Sequence, residues 1–209
     1  MTITPTKLLY LPGAGGGADF WRPVSSLQTH PASRALLGWP GFGSVPANSS
    51  VQNIDDLVAL VVDEIDQPTA LIAQSMGGVV AILAALKRPE LITHLVLAAT
   101  SGGVDMSDLQ VADWRQAFIE ANPTFPRWFA NFNDDLSTSI GAIQAPALLL
   151  WGESDLISPA DVGLRLKGLL PYSRMHVVPN GEHDFSNKLA TKVAPLIDAH
   201  LYSARSAYV

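Results

Sequence analysis

Ser75, Asp155 and His183 supply an alcohol, a carboxylate and an imidazole, the three groups that together can run nucleophilic acyl transfer. The imidazole takes the hydroxyl proton as the oxygen attacks, and the carboxylate orients the imidazole. Around the alcohol, the run Leu71-Ile72-Ala73-Gln74-Ser75-Met76-Gly77-Gly78-Val79-Val80-Ala81 reads as an apolar strand, a tight turn and an apolar helix. A serine at the apex of such a turn exposes its hydroxyl at the strand end, and the crowded backbone needs small neighbours, here Ala73, Gly77 and Gly78. The same turn puts Ser75 at a helix N-terminus, where free N–H groups favour developing negative charge. The bland alternative is an N-cap serine followed by glycines that aid packing.

The other two groups follow strands of their own. Asp155 stands in Gly152-Glu153-Ser154-Asp155-Leu156-Ile157-Ser158-Pro159, just after the apolar run Ala147–Trp151, and is preferred to Glu153 as the carboxylate. Read alone, Asp155 or Ser158 is equally a cap for a helix that starts near Pro159. His183 stands in Pro179-Asn180-Gly181-Glu182-His183-Asp184-Phe185 after the last strand, whereas His30, His94, His176 and His200 lie before a strand, within one or on helix-like segments. A glycine-rich loop, Leu11-Pro12-Gly13-Ala14-Gly15-Gly16-Gly17, follows the first strand and can turn backbone N–H groups into a cavity. It lacks the Gly-Lys-Ser/Thr ending of a phosphate loop and the full dinucleotide fingerprint. Parallel strands present their carboxyl ends on one side, so all four loops are expected at one sheet edge.

The elements that must position these groups alternate. Strands are expected near Leu8–Leu11, Ala35–Gly38, Ala70–Gln74, His94–Ala99, Ala147–Trp151 and Met175–Val178. Helices are expected near Ala18–Gln28, Ile54–Asp66, Met76–Lys87, Ala160–Leu169 and Lys188–Leu201. This alternation predicts an α/β fold, a mostly parallel sheet flanked by helices. Residues 102–145 break the rhythm as a helical insertion above the sheet, with short helices around Val111–Ala121 and Pro126–Phe132. Gly38–Ser50 reads as a long surface loop. A chain of 209 residues without a linker fits one domain spanning 1–209.

Composition narrows the chemistry. With 48% hydrophobic and 15% charged residues, the chain can bury a full core. A formal charge of -6 without a basic cluster makes nucleic acid and anionic membrane poor partners. The absence of cysteine removes disulfides, thiolate metal sites and thiol nucleophiles. No secretory pattern opens the sequence and its apolar runs fall far short of the roughly 20 residues that span a bilayer, so the expectation is a cytoplasmic protein.

The chain resembles the α/β-hydrolase superfamily, and its small single-domain esterase-like members in particular. Leu11-Pro12-Gly13-Ala14-Gly15, Trp39-Pro40-Gly41-Phe42-Gly43, Ala73-Gln74-Ser75-Met76-Gly77-Gly78, Trp151-Gly152-Glu153-Ser154-Asp155 and Gly181-Glu182-His183-Asp184 carry the resemblance, which extends over nearly the whole length. It departs from the usual pattern with Ala73 in place of a glycine and Pro12 where many relatives have histidine. The resemblance implies a sheet lacking the family's first two strands and keeping about six. It implies Ser75, Asp155 and His183 as the catalytic triad and the backbone N–H groups of Ala14 and Met76 as the oxyanion hole, with no metal and no cofactor.

Trp114, Phe118, Phe125, Trp128, Phe129 and Phe132 in the insertion suggest an apolar lid. Trp114, Phe118, Trp128 and Phe129, joined by Gly13 and Gln74, are the expected substrate pocket. The expected partner is a small-molecule ester or thioester with a small or medium apolar acyl group. A homodimer is left open. Two rivals share the site: a cofactor-free lyase or C–C hydrolase, and a non-catalytic ligand-binding protein.

Overall fold

The computed structural model describes residues 3–109, 111, 113–132 and 134–208. Gln110, Ala112 and Asn133, which fall within the expected 102–145 insertion, lie outside the described residues, as do Met1, Thr2 and Val209.

Six strands form one parallel sheet: β1 (Lys7–Leu11), β2 (Ser33–Leu36), β3 (Thr69–Gln74), β4 (Ile92–Ala98), β5 (Ala147–Gly152) and β6 (Ser173–Val178), in the order β2-β1-β3-β4-β5-β6. The central strands β3, β4 and β5 are buried along their whole length, as apolar runs covered on both faces must be. Their side chains alternate between two cores. Leu9, Leu71, Leu95, Leu97 and Leu149 face one layer, while Leu8, Tyr10, Ile72, Val96 and Leu150 face the other.

The first layer holds α2 (Ile54–Asp63), α3 (Met76–Lys87) and α6 (Ala160–Leu169); the second holds α1 (Arg22–Leu27), α7 (Phe185–Lys188) and α8 (Ala190–Leu201). Asn53 starts α2 by accepting the Asp56 N–H at 2.9 Å, and Asp55 and Asp56 in the first turn suit the positive end of its dipole. The helix expected over Lys188–Leu201 is α8, and the short α7 precedes it across a backbone break at Leu189.

The insertion carries α4 (Arg115–Ala121), a 3-10 turn over Trp128–Asn131 and a short α5 (Ser137–Ile140) that no periodicity announced. It packs on the first core layer through Phe118, Phe125 and Leu136. The Gly38–Ser50 stretch is more than a surface loop: Trp39 and Phe42 within it are fully buried. Among the described residues no helix is long and apolar enough to cross a membrane.

The chain leaves β1 for β2 on one side and returns to β3 on the other. Loops after β1 and β3 therefore part at their carboxyl ends, and that crevice is where open α/β sheets bind ligands.

Candidate active site

Ser75 follows β3 with φ 52° and ψ −121°, a left-handed region that costs a serine free energy. Hydrogen bonds over-determine the turn. The Ser75 N–H donates to the Ala98 carbonyl at 3.0 Å, and the Ser75 carbonyl accepts from the Gly78 N–H at 2.9 Å and the Thr100 hydroxyl at 2.6 Å. Among the described residues the non-glycine positive φ angles belong to Ser75, Ala99 and Asn180, at the carboxyl ends of β3, β4 and β6. Strain is thus collected at one edge of the sheet.

The turn needs glycine at position 77, because a Cβ there would lie 2.5 Å from the Pro12 carbonyl oxygen and 2.7 Å from that of Leu11. That close approach seats the glycine-rich loop beside Ser75. Two indoles fix the same loop from either side: Trp21 Nε1–H donates to the Leu11 carbonyl at 2.9 Å and Trp39 Nε1–H to the Pro12 carbonyl at 3.0 Å.

Although Ser75 occupies the N-cap position of α3, its side chain makes no capping hydrogen bond. Its Oγ lies 3.1 Å from His183 Nε2, and His183 Nδ1 lies 2.9 Å from Asp155 Oδ2. A carboxylate only accepts, so Nδ1 carries the proton and Nε2 offers its lone pair to the serine hydroxyl. The remaining oxygen, Asp155 Oδ1, accepts the N–H groups of Ile157 and Ser158, each at 2.9 Å. The Asp155 side chain is 0% exposed and that of His183 is 22% exposed, so the relay runs from a dry anchor to an accessible base.

A glycine pair brings the two loops together. A Cβ on Gly152 would sit 2.4 Å from the Gly181 carbonyl oxygen, so only a bare backbone lets the turn after β5 lie against the turn after β6. The Ser154 N–H donates to that carbonyl at 2.8 Å, and Glu153 is turned away to accept the Asn180 N–H at 3.0 Å. The expected Ser75, Asp155 and His183 are therefore brought together, with Glu153 outside the relay.

Ala14 and Met76 are both buried. Met76 opens α3, so its N–H has no intrahelical acceptor. A cavity of about 650 Å³ reaches Ser75, Met76 and His183 and passes under the insertion.

The expected pocket is corrected in part. Trp114 and Phe129 line the cavity, together with Phe132, whereas Gly13, Gln74, Phe118 and Trp128 do not. Gln74 donates through Nε2 to the His183 carbonyl at 3.2 Å and fills the space above Gly13, where a Cβ would meet Gln74 Oε1 at 2.3 Å. Phe118 packs among Trp114, Phe125 and Phe129, and Trp128 meets Phe42 with ring centroids 5.5 Å apart. These rings serve as packing of the insertion.

Other residues emerge only in three dimensions. Thr100 props the Ser75 turn, and its place in Thr100-Ser101-Gly102-Gly103, directly after β4, was the available signal. The wall also carries Asp105, Asp113, Asp134 and Asp135, with Arg115 as the one permanent cation among the described lining residues. Among the described residues no group of His, Asp and Glu side chains is placed to hold a metal ion.

Known proteins share the fold and parts of the sequence. The 2-hydroxy-6-oxononadienedioate/2-hydroxy-6-oxononatrienedioate hydrolase of Cupriavidus pinatubonensis is 27% identical over 220 residues, covering 79% of this chain and 75% of that protein. A thermophilic esterase from Thermogutta terrifontis shares the fold with a TM-score of 0.76 at 19% identity, over 100% of this chain and 92% of its own. A meta-cleavage product hydrolase from Pseudomonas fluorescens IP01 does so with a TM-score of 0.75 at 17% identity, over 94% and 90%. Residues 8–138, which contain the glycine-rich loop, the Ser75 turn and much of the insertion, match the alpha/beta hydrolase family. With that match added to the sheet order and the edge on which the loops meet, the chain belongs to the alpha/beta hydrolase family.

Proposed function

We propose that this chain is a serine hydrolase that cleaves small or medium carboxylic esters or thioesters through an acyl-enzyme on Ser75. The observation that carries the reading is the relay from Ser75 Oγ through His183 to Asp155, with the hydroxyl withheld from capping its own helix.

In this reaction Nε2 of His183 takes the Ser75 proton while Oγ attacks the acyl carbonyl. The N–H groups of Met76 and Ala14 hold the resulting oxyanion, the role for which the unpaired start of α3 and the loop seated beside Ser75 are suited. The imidazolium then protonates the leaving alcohol or thiol. Water, deprotonated by the same imidazole, attacks the acyl-enzyme and frees the acid and Ser75. Asp155 keeps the ring in the working tautomer and stabilises its charged form.

The wall supports an uncharged substrate. Its aromatic part, Trp114, Phe129 and Phe132, offers apolar contact, and its carboxylates Asp105, Asp113, Asp134 and Asp135 repel an anion. A second reading, hydrolysis of a C–C bond next to a carbonyl, is favoured by the relative's name and by Arg115, which offers one cationic contact to a carboxylate. Rapid-mixing kinetics with a series of p-nitrophenyl esters of increasing chain length separates them. The ester reading predicts a burst of nitrophenolate equivalent to the protein present, then slower turnover. Cleavage of a 2-hydroxy-6-oxo-dienedioate with no ester turnover transfers the assignment to the second reading, and cleavage of neither favours a binding protein.

A further inference from the structure

The cavity wall formed by residues 105–109 packs on the core through Met106 and Leu109, and from behind the Arg165 side chain ties it to α6. Arg165 projects from α6, whose neighbouring residues Val162 and Leu166 are buried in the first core layer. Its Nη1 donates to the Asp105 carbonyl at 2.8 Å and to Asp108 Oδ1, and its Nη2 donates to Asp108 Oδ2 at 2.6 Å. The segment it grips is a compact turn. Asp105 accepts from the Ser107 N–H at 2.9 Å and the Ser107 hydroxyl at 3.0 Å, and the Leu109 N–H donates to the Met106 carbonyl at 2.9 Å. Asp105, Met106, Ser107 and Leu109 line the cavity while Asp108 does not. The guanidinium therefore holds the outer side of a wall whose inner side faces the substrate space.

An isolated exposed ion pair contributes little. This contact is exposed on the Asp108 side, at 68% against 28% for Arg165, and differs in geometry: one planar fork binds both oxygens of a carboxylate and a backbone carbonyl. Asp105 also ties the turn within the insertion, its N–H donating to Asp135 Oδ1 at 3.3 Å.

We propose that Arg165 is a positioning residue that fixes the 105–109 wall and so limits the size of the group that reaches Ser75. The inference rests on Ser75 being the nucleophile. Asp108 is held below the usual carboxylate range by its hydrogen bonds with Arg165, so the pair persists into mild acid and loosens only as pH falls through that lowered value.

The test compares the second-order labelling rates of a small and a bulky fluorophosphonate in the wild type, Arg165→Ala, Arg165→Lys and the charge swap Arg165→Asp with Asp108→Arg. In Arg165→Ala the bulky-to-small ratio rises by about tenfold, since displacement of a wall by about 1 Å alters reactivity by orders of magnitude. Arg165→Lys, which keeps the charge without the fork, is expected between Ala and wild type, and the swap moves the ratio back toward wild type. Salt at about 1 M, where screening acts within about 3 Å, moves the wild-type ratio toward the Ala value and leaves Arg165→Ala unchanged. The wild-type half of that arm needs no variant to fold. Amide hydrogen exchange gives a readout that requires no reactivity: protection at Ser107 and Leu109 falls by about tenfold in Arg165→Ala. A ratio insensitive to Arg165→Ala and to salt overturns the size limit, and unchanged exchange overturns the clamp itself. A wild type that neither probe labels refutes the Ser75 reading, and exchange then decides the clamp alone.

Discussion

Of the five imidazoles in this chain, His183 and the pair His94 and His200 are built for opposite ends. His183 stands at the carboxyl edge of the sheet with a partner on each ring nitrogen, a buried carboxylate behind and a hydroxyl in front, and it opens on the cavity. His200 on α8 and His94 on β4 meet edge to face inside the protein, with ring centroids 5.1 Å apart. His94 Nε2 contacts the Ser203 carbonyl and His200 Nδ1 the Tyr208 hydroxyl, while His94 Nδ1 and His200 Nε2 are buried without a hydrogen-bond partner among the described residues. Burial pushes the His94 imidazole below its ordinary range and His200 down to about 3, with the neighbouring ring and Arg174 adding to the shift in His200. The contrast teaches that what sets the two apart is a carboxylate partner and access to a cavity at His183 against burial without full hydrogen bonding at His94 and His200.

The comparison breaks hardest at the relay. Ser75→Ala or His183→Ala should each lower kcat by about 10⁶, and the double variant should lose little more, because the residues act as a unit. Steady-state kinetics of the three variants checks this, and fully additive losses would contradict a relay. Asp155→Asn should cost about 10⁴ in kcat, since an amide at that position favours the wrong tautomer of His183. Circular dichroism should show it folded, because an Asn oxygen can still accept from Ile157 and Ser158.

The buried pair sharpens the contrast through stability. His200 is neutral when folded down to about pH 3, whereas in the unfolded chain it takes up a proton below its ordinary value of 6.5. Between these limits the unfolded state binds more protons, so stability falls as pH falls, at up to about 1.4 kcal/mol per pH unit for this group. Denaturant midpoints measured across that window should show the slope, and His200→Phe should flatten it without moving the pH profile of ester cleavage. The smallest effect is expected at the glycine pair. Gly152→Ala should cost about 1–3 kcal/mol of stability and lower kcat more than it raises KM, because the added Cβ forces the Asp155 and His183 loops apart. Thermal unfolding and kinetics on the same preparation measure both.

The legibility of this chain followed the range of the interactions involved. Each relay residue sits in the turn within a few residues of a strand's end, so its place at the sheet edge was encoded locally in Leu71–Gly78, Ala147–Asp155 and Met175–His183. The alternation of apolar runs was likewise enough for the six parallel strands. The insertion was not legible in the same way. Helical spacing placed aromatic side chains on a common face but could not tell which would meet the cavity, because Trp128 finds Phe42 from a loop far away in sequence. Trp39 and Phe42, buried within a stretch that reads as surface loop, were hidden for the same reason: the neighbours that decide them are tertiary. The Arg165 fork likewise depends on α6 and the insertion being adjacent in space.

The central claim, that Ser75 is activated by His183, is tested most directly by peptide mapping after treatment with a fluorophosphonate. The account predicts one adduct, on the peptide carrying Ser75, absent in Ser75→Ala and formed far more slowly in His183→Ala. An unlabelled wild type, an adduct on another residue, or labelling that proceeds at full rate without His183 would contradict it.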